Sequence, residues 1–366
     1  MLARTDVGPV MPSIVARSCR RAAEAPADCS GRAPHVPCPH RMNYLVTGGA
    51  GFIGSHLADV LLARGDSVVA FDDSSTGSID NVRHLLDHPR FQLKEGTILD
   101  HPLVAQLTGR ADVVVHLAAA VGVRLIIAQP LRSLITNIRG TEIVLDCAAM
   151  ADARVLIAST SEIYGKNAMG PLKEDSDRIL GSPFVARWSY SEAKAVDEIL
   201  AHAYWKERGT EAIVVRFFNC VGPRQTGTYG MVIPRFVRQA LTGEDVTVYG
   251  TGEQLRAFCH VLDTVDAVVR LLDHPDSPGD PFNIGAQNET TMNGLAEAIV
   301  EATGSTSHVV HVPYEVAYEE GFEDMERRMP DTTKLQTLTG WQATRSLGDI
   351  LDDVITFERG RLAADA

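Results

Sequence analysis

The chain has 366 residues, a length that fits one large domain or two ordinary ones and does not limit core size. Its formal net charge of −13 argues against a nucleic acid or an anionic membrane surface as the main partner, while a local arginine pocket can still take an anionic substrate. No apolar run approaches the ~20 residues that span a bilayer, and the six cysteines lack metal-ligand or disulfide spacing, so a cytoplasmic protein with reduced thiols and no metal site is expected.

Residues 1–41 are rich in Arg, Ala, Pro and Ser, lack lysine and keep no helical or strand period. They read as a disordered N-terminal extension, with Met42 as the functional start. From Met42 onward, short β-branched runs alternate with helical stretches, the pattern of a parallel sheet covered on both faces. Predicted strands are Tyr44–Thr47, Ser67–Phe71, Phe91–Glu95, Val113–Leu117, Arg154–Ala158 and Ala212–Arg216. Predicted helices fill Ser55–Arg64, Pro102–Leu107, Leu131–Met150 and Tyr190–Glu207. After Val221 the pattern loosens, with helices expected at Ile233–Leu241, Leu262–Leu272 and Asn293–Thr303 and a strand at Val246–Tyr249. The expected fold class is α/β. A Rossmann-type doubly wound parallel sheet occupies residues 42–220, and a smaller mixed α/β substrate-binding cap occupies 221–366, with segments near 260–290 returning to the core.

The first strand breaks into Gly48-Gly49-Ala50-Gly51-Phe52-Ile53-Gly54 and a helix re-forms at once. Such a turn holds a pyrophosphate: Gly48 permits the tight bend, Gly51 lets backbone N–H groups approach, and Gly54 lets helix and strand pack closely. The helix N-terminus adds unpaired donors and a positive dipole end. Strand two ends in Phe71-Asp72-Asp73, which puts Asp72 18 positions after Gly54. That is close to the ~20-residue spacing at which an acid binds the adenosine ribose hydroxyls, and it assigns NAD rather than NADP.

Two later features carry chemistry. Ser159-Thr160-Ser161-Glu162 follows the fifth strand, and Tyr190-Ser191-Glu192-Ala193-Lys194 opens a helix. Tyrosine and lysine four residues apart share a helix face. An ammonium beside the phenol favours phenolate and brings its pKa toward working pH. Tyr190 can then take a proton from a sugar hydroxyl while hydride leaves the same carbon for NAD, with Thr160 positioning that hydroxyl. Tyr164 lacks a lysine four residues on and reads as structural.

With these residues in view, the chain resembles the extended short-chain dehydrogenases/reductases that remodel nucleotide sugars, from about Met42 to about Glu358. The resemblance rests on the glycine turn, His116-Leu117-Ala118-Ala119, Asn137-Ile138-Arg139-Gly140-Thr141, Tyr190 with Lys194, Arg216-Phe217-Phe218-Asn219, Gly222-Pro223-Arg224, and Pro330-Asp331-Thr332-Thr333-Lys334 followed by Gly340-Trp341. It implies an NAD held through the turnover by Gly48, Gly51, Phe52, Ile53, Gly54, Asp72, Ile98, Ala118, Tyr190 and Lys194. It implies a nucleotide-linked sugar, most simply a UDP-sugar, between core and cap, and a homodimer built on the helices Leu131–Met150 and Tyr190–Glu207. By motif position Asn219 would meet the substrate diphosphate, Arg256 its phosphate or sugar, Arg327 or Arg328 a phosphate, and Tyr249 the base. The family commonly has Gly-Asp where this chain has Gly96-Thr97, which puts the adenine contact in question.

Glu162 discriminates among reactions. Thr160-Ser161-Glu162 resembles UDP-glucuronate decarboxylases and GDP-mannose 4,6-dehydratases, and Val121-Gly122-Val123-Arg124 with Arg256-Ala257-Phe258 looks closer to the decarboxylases. The implied reaction is transient C4 oxidation of UDP-glucuronate, loss of CO2, and formation of UDP-xylose or its 4-keto precursor. Glu162 would gate C5, and Arg256 would donate a proton or anchor the carboxylate. A UDP-sugar 4-epimerase and then a 4,6-dehydratase are the alternatives. A catalytically silent NAD or nucleotide-sugar sensor is the reading of another class, disfavoured by the intact Thr160, Tyr190 and Lys194.

Overall fold

In the first strand, β1 (Asn43–Thr47), every residue after Asn43 is buried, and β4 (Val113–His116) is buried throughout. Uninterrupted burial of this kind belongs to parallel strands covered on both faces. The computed structural model describes residues 41–120, 122, 129–185, 188–227, 231–313, 325 and 327–365. The expected extension up to His40 and most of the Val121–Arg124 motif lie outside these residues.

The remaining strands of the main sheet are β2 (Ser67–Asp72), β3 (Phe91–Glu95), β5 (Arg154–Thr160), β6 (Ala212–Phe217) and, after four short strands outside it, β11 (Pro281–Ile284). Their order is β11-β6-β5-β4-β1-β2-β3, all parallel. The chain winds one way from β1 through β3 and the other way from β4 outward. A crevice therefore opens at the carboxyl ends of β1 and β4, where ligands bind in such sheets.

Alternation along β1 decides which layer each residue joins. Tyr44 and Val46 pack with Leu57 and Leu61 of the helix Phe52–Ala63, and with Val265 and Val268 of the helix Val261–Asp273. Leu45 faces Val144 and Ala148 of the helix Gly140–Ala151 and Ala201 of the helix Ser189–Arg208. Each fully buried Leu or Val contributes about 1.5–3 kcal/mol over an exposed one.

A third cluster includes Ile233, Phe236, Val248, Leu295, Ile350 and Val354. It joins the helices Val232–Thr242, Met292–Thr303 and Leu347–Asp365 to β8 (Val246–Tyr249), which pairs with β13 (Val309–Val312). Beside it stands a small sheet of β9 (Leu255–Ala257), β12 (Glu289–Thr291) and β14 (Arg327–Arg328). A short parallel pair, β7 (Cys220–Val221) and β10 (Cys259–His260), completes the strands.

The expected helix Leu131–Met150 is observed in three parts: Pro130–Leu134, a π-helical segment Ile135–Arg139, and Gly140–Ala151. A π segment inserts one residue into the helical ladder and commonly marks a functional position. Here it buries Asn137, whose side chain accepts the Ala120 N–H at 2.8 Å and donates to the Ala120 carbonyl at 3.2 Å. The loop after β4 is thereby fixed beside the crevice. Among the described residues, no helix is long and apolar enough to cross a membrane.

Candidate active site

Gly48 has φ +70, a conformation that only glycine adopts cheaply, and a Cβ there would lie 2.8 Å from the Ala118 nitrogen. A Cβ at Gly51 would stand 3.0 Å from the Gly48 carbonyl oxygen, and one at Gly54 would overlap that oxygen outright. The turn closes through the Gly51 N–H to the Gly48 carbonyl at 3.0 Å. Beside it, Asp72 at the end of β2 accepts the Ala50 N–H at 3.0 Å and the Ser74 N–H at 2.8 Å. Burial raises the Asp72 pKa, and these backbone donors with that of Gly51 pull it back.

These residues line a cavity of about 900 Å³ at the crevice. Gly48, Gly51, Phe52, Ile53, Gly54, Asp72, Ile98 and Ala118 all face it, as do Thr160, Glu162, Tyr190, Lys194 and Asn219. A glycine cradle backed by a helix N-terminus, with a carboxylate at the end of the next strand beside it, fits a dinucleotide. Thr97 is turned to a local bond, its hydroxyl accepting the Leu99 N–H at 3.3 Å.

Farther along the cavity, Thr160 ends β5 and its Oγ1 accepts the Glu162 N–H at 3.2 Å, capping the short 3-10 turn Ser161–Tyr164. The helix Ser189–Arg208 begins one residue before Tyr190, so Tyr190 and Lys194 stand on its first turns and on its buried side. Lys194 Nζ donates to Asp197 Oδ2 at 3.0 Å. Arg216 on β6 grips Glu198 of the same helix at 2.7 Å and donates to the Tyr164 hydroxyl at 2.8 Å. Tyr164, fully buried, donates in turn to Asn283 at 2.7 Å, a structural bridge to β11.

Arg327 and Arg328 are separated by the alternation of β14. Arg327 bonds Glu289 at 2.7 Å, whereas Arg328 faces the cavity, donating to Asn219 Oδ1 at 3.0 Å with its Nη1 3.6 Å from Glu162 Oε1. Asn219, at φ +36, donates to the Ala257 carbonyl at 2.8 Å. Arg256, Tyr249 and Arg327 are not among the described residues that line the cavity. Arg256 is buried and donates to the Leu255 carbonyl at 2.9 Å, and Tyr249 carries the Arg235 guanidinium 4.2 Å above its ring. The sequence reading left Arg132, Ser133, Gln225, Phe357 and Arg361, which also line the cavity, without a role. They come from the short helix Pro130–Leu134, the loop after β7 and the C-terminal helix, whose approach to the cavity depends on tertiary packing.

A doubly wound parallel sheet whose switch point holds both a dinucleotide cradle and a Tyr–Lys pair has the architecture of a Rossmann-type dehydrogenase-like enzyme. The particular family follows from comparison: residues 44–285 match the NAD dependent epimerase/dehydratase family, and the chain belongs to it. Among curated relatives, a UDP-N-acetyl-alpha-D-glucosaminuronate decarboxylase of Bacillus cytotoxicus is 39% identical over 316 residues, covering 86% of this chain and 97% of the relative. UDP-glucuronic acid decarboxylase 1 of Danio rerio is 37% identical over 317 residues, covering 87% and 72%. Among solved structures, a UDP-glucuronic acid 4-epimerase from Bacillus cereus, in complex with UDP-glucuronic acid and NAD, superposes with TM-score 0.78 at 28% identity, covering 87% of this chain and 100% of that one.

Proposed function

We propose that the protein decarboxylates a UDP-linked hexuronic acid, UDP-glucuronate in the first instance, through transient oxidation at C4. The observation that carries this reading is Glu162, in the same cavity as Thr160, Tyr190 and Lys194 and 3.6 Å from Arg328. The decarboxylase relatives support it.

The glycine turn and Asp72 would hold NAD, which supplies a reversible hydride acceptor. Tyr190 takes the C4 hydroxyl proton, Lys194 favours the phenolate that does so, and Thr160 orients the hydroxyl. With C4 a carbonyl, the C5 carboxylate belongs to a β-keto acid. Its carbon–carbon bond breaks, CO2 leaves, and the electron pair passes into the carbonyl as an enolate. A proton from solvent at C5 and reduction at C4, for which NAD would supply the hydride while Tyr190 gives its proton back to the oxygen, would yield UDP-xylose; release before that reduction would yield the 4-keto pentose. Glu162 and Arg328 confine the C5 region, and Asn219 with Arg328 meets the diphosphate.

The test is mass analysis of products from UDP-glucuronate, UDP-N-acetylglucosaminuronate and UDP-glucose. Loss of the mass of CO2 from a uronate is expected. An unchanged mass with altered retention overturns the reading in favour of epimerisation, and loss of water in favour of dehydration. Activity on the acetamido sugar alone transfers the proposal to that substrate, which the Bacillus cytotoxicus relative acts on by name.

The proposal extends to a cytoplasmic homodimer, the location supported by cysteines without disulfide spacing. Leu131 and Ile199 are 70% and 66% exposed on two helices that pack side by side, an apolar face suited to a second copy of this chain. Light scattering should give twice the chain mass, and Ile199→Arg should give a monomer; a monomeric wild type rejects this arrangement.

A further inference from the structure

The buried side of the helix Ser189–Arg208 carries Tyr190, Lys194 and Asp197. The Lys194 ammonium and Asp197 carboxylate are 3.0 Å apart, with side chains 2% and 0% exposed. The mechanism above gives this ammonium one task, to favour the Tyr190 phenolate. It does not account for a carboxylate in contact with the ammonium.

We propose that Asp197 is a positioning residue, which anchors Lys194 and offsets part of its charge, so that Tyr190 keeps its proton to a higher pH than lysine alone would allow. The inference rests on the catalytic reading of Tyr190 and Lys194. Its chemical logic is reversibility. Tyr190 must accept a proton on oxidation and return it on reduction, and a phenol made too acidic is a poor donor in the second half. A dry site makes each charge count for more than it would in water.

The surroundings isolate the pair. On the same helix, Glu198 is engaged by Arg216 at 2.7 Å and by the Ser159 hydroxyl at 2.5 Å. From β4, His116 faces Lys194, and burial with the Lys194 charge pushes its pKa down to about 3, so it stays neutral. His116 is held by the Thr47 hydroxyl at 2.7 Å and the Thr141 hydroxyl at 3.1 Å. The Asp197 carboxyl is itself raised by burial and drawn back by Lys194 and the Thr141 hydroxyl. Among the described residues, Asp197 is the carboxylate in ion-pair contact with Lys194.

The experiment is an ultraviolet difference titration of NAD-loaded protein, in which subtraction of the Tyr190→Phe variant isolates the Tyr190 phenolate. Tyr44 and Tyr164, both pushed up to about 12 by burial, ionise outside the range. Asp197→Asn keeps an oxygen for Lys194 Nζ and removes the charge. Asp197→Ser removes the same charge with a smaller side chain, should the amide disturb folding. In either background, with its own Tyr190→Phe subtraction, the phenolate should appear about one pH unit lower. An unmoved midpoint, or one displaced upward, overturns the inference. No sugar substrate enters the measurement, so failure of the decarboxylation reading shows separately, as absent CO2 loss with the midpoint still displaced. Where turnover is seen, the acid limb of kcat should move down with the phenolate while KM stays within about twofold.

Discussion

Arg328 lies between Asn219 and Glu162 in the cavity, while its chain neighbour Arg327 is spent on Glu289 at the other face of the same short strand. Arg328→Met should therefore raise KM for the nucleotide sugar about 10–100-fold, the loss of one charge-assisted contact to a phosphate. Arg327→Met should leave KM within about twofold. Equal effects from the two variants would remove Arg328 from substrate binding. The sequence left this pair undecided because a two-residue strand carries no period of its own. Which arginine turns inward is set by the pairing of Arg328 with Arg256 on β9, a strand some 70 residues earlier. Tyr190, Lys194 and Asp72 were legible for the opposite reason. Their partners lie on one helix face or at the end of one strand, so local geometry alone places them.

At the scale of elements, the turn between β1 and the helix Phe52–Ala63 is where a single methyl group has most effect. At Gly54 an added Cβ would meet the Gly48 carbonyl oxygen, which already accepts the Gly51 N–H at 3.0 Å and cannot retreat without opening the cradle. Gly54→Ala should hold at least tenfold less NAD than the wild type after both are loaded with the cofactor and desalted, at a cost of about 1–3 kcal/mol in stability. Acid extraction of the cofactor with a thermal melt checks both, and full NAD content would show that the turn does not seat it. The long C-terminal helix Leu347–Asp365 was not expected from the sequence, whereas the main-sheet strands up to β6 could be read, because burial on two faces leaves apolar runs and, in the edge strand β3, apolar–polar alternation. The seventh strand, Pro281–Ile284, could not: it is short, begins with proline and lies at the sheet edge. The π segment was hidden too, since one extra residue in a helix shifts the apolar stripe without breaking it. Its Asn137, and Gly140 just after it, nonetheless stood out as a motif, for reasons the packing supplies. Asn137 clamps Ala120, and a Cβ at Gly140 would collide with Ile98 in the cavity wall.

The whole molecule carries a pH dependence set by histidines buried without charge. Burial pushes His116 from its ordinary 6.5 down to about 3 and His56 down to about 4. Between 6.5 and those values the unfolded chain binds protons that the native state refuses, so stability is fully present above pH 6.5 and is lost progressively as pH falls. Each histidine contributes about 1.4 kcal/mol per pH unit inside its window. The buried carboxyls of Asp72, Asp197 and Glu174 work the other way, because their raised pKa values favour the native state in acid. Their windows run upward from ordinary carboxylate values and oppose the histidines in the same acid range, so the histidine contribution is read from the difference between proteins and not from the slope of one. The net charge of −13 adds a stabilising trend on acidification as like charges are neutralised, which is why the slope must be compared between variants. His116→Gln retains hydrogen bonding for Thr47 and Thr141 without the titrating ring. Its Tm at pH 6.5 should be equal or slightly lower, and its fall between about pH 6.5 and 4.5 should be shallower than that of the wild type, with His56 and His260, whose pKa burial also lowers, still contributing. Scanning calorimetry across that window decides it: the same slope in both proteins would mean that His116 is protonated in the native state, and would break the chain of neutral contacts that joins the glycine turn, through Thr47 and Thr141, to the helix bearing Tyr190 and Lys194.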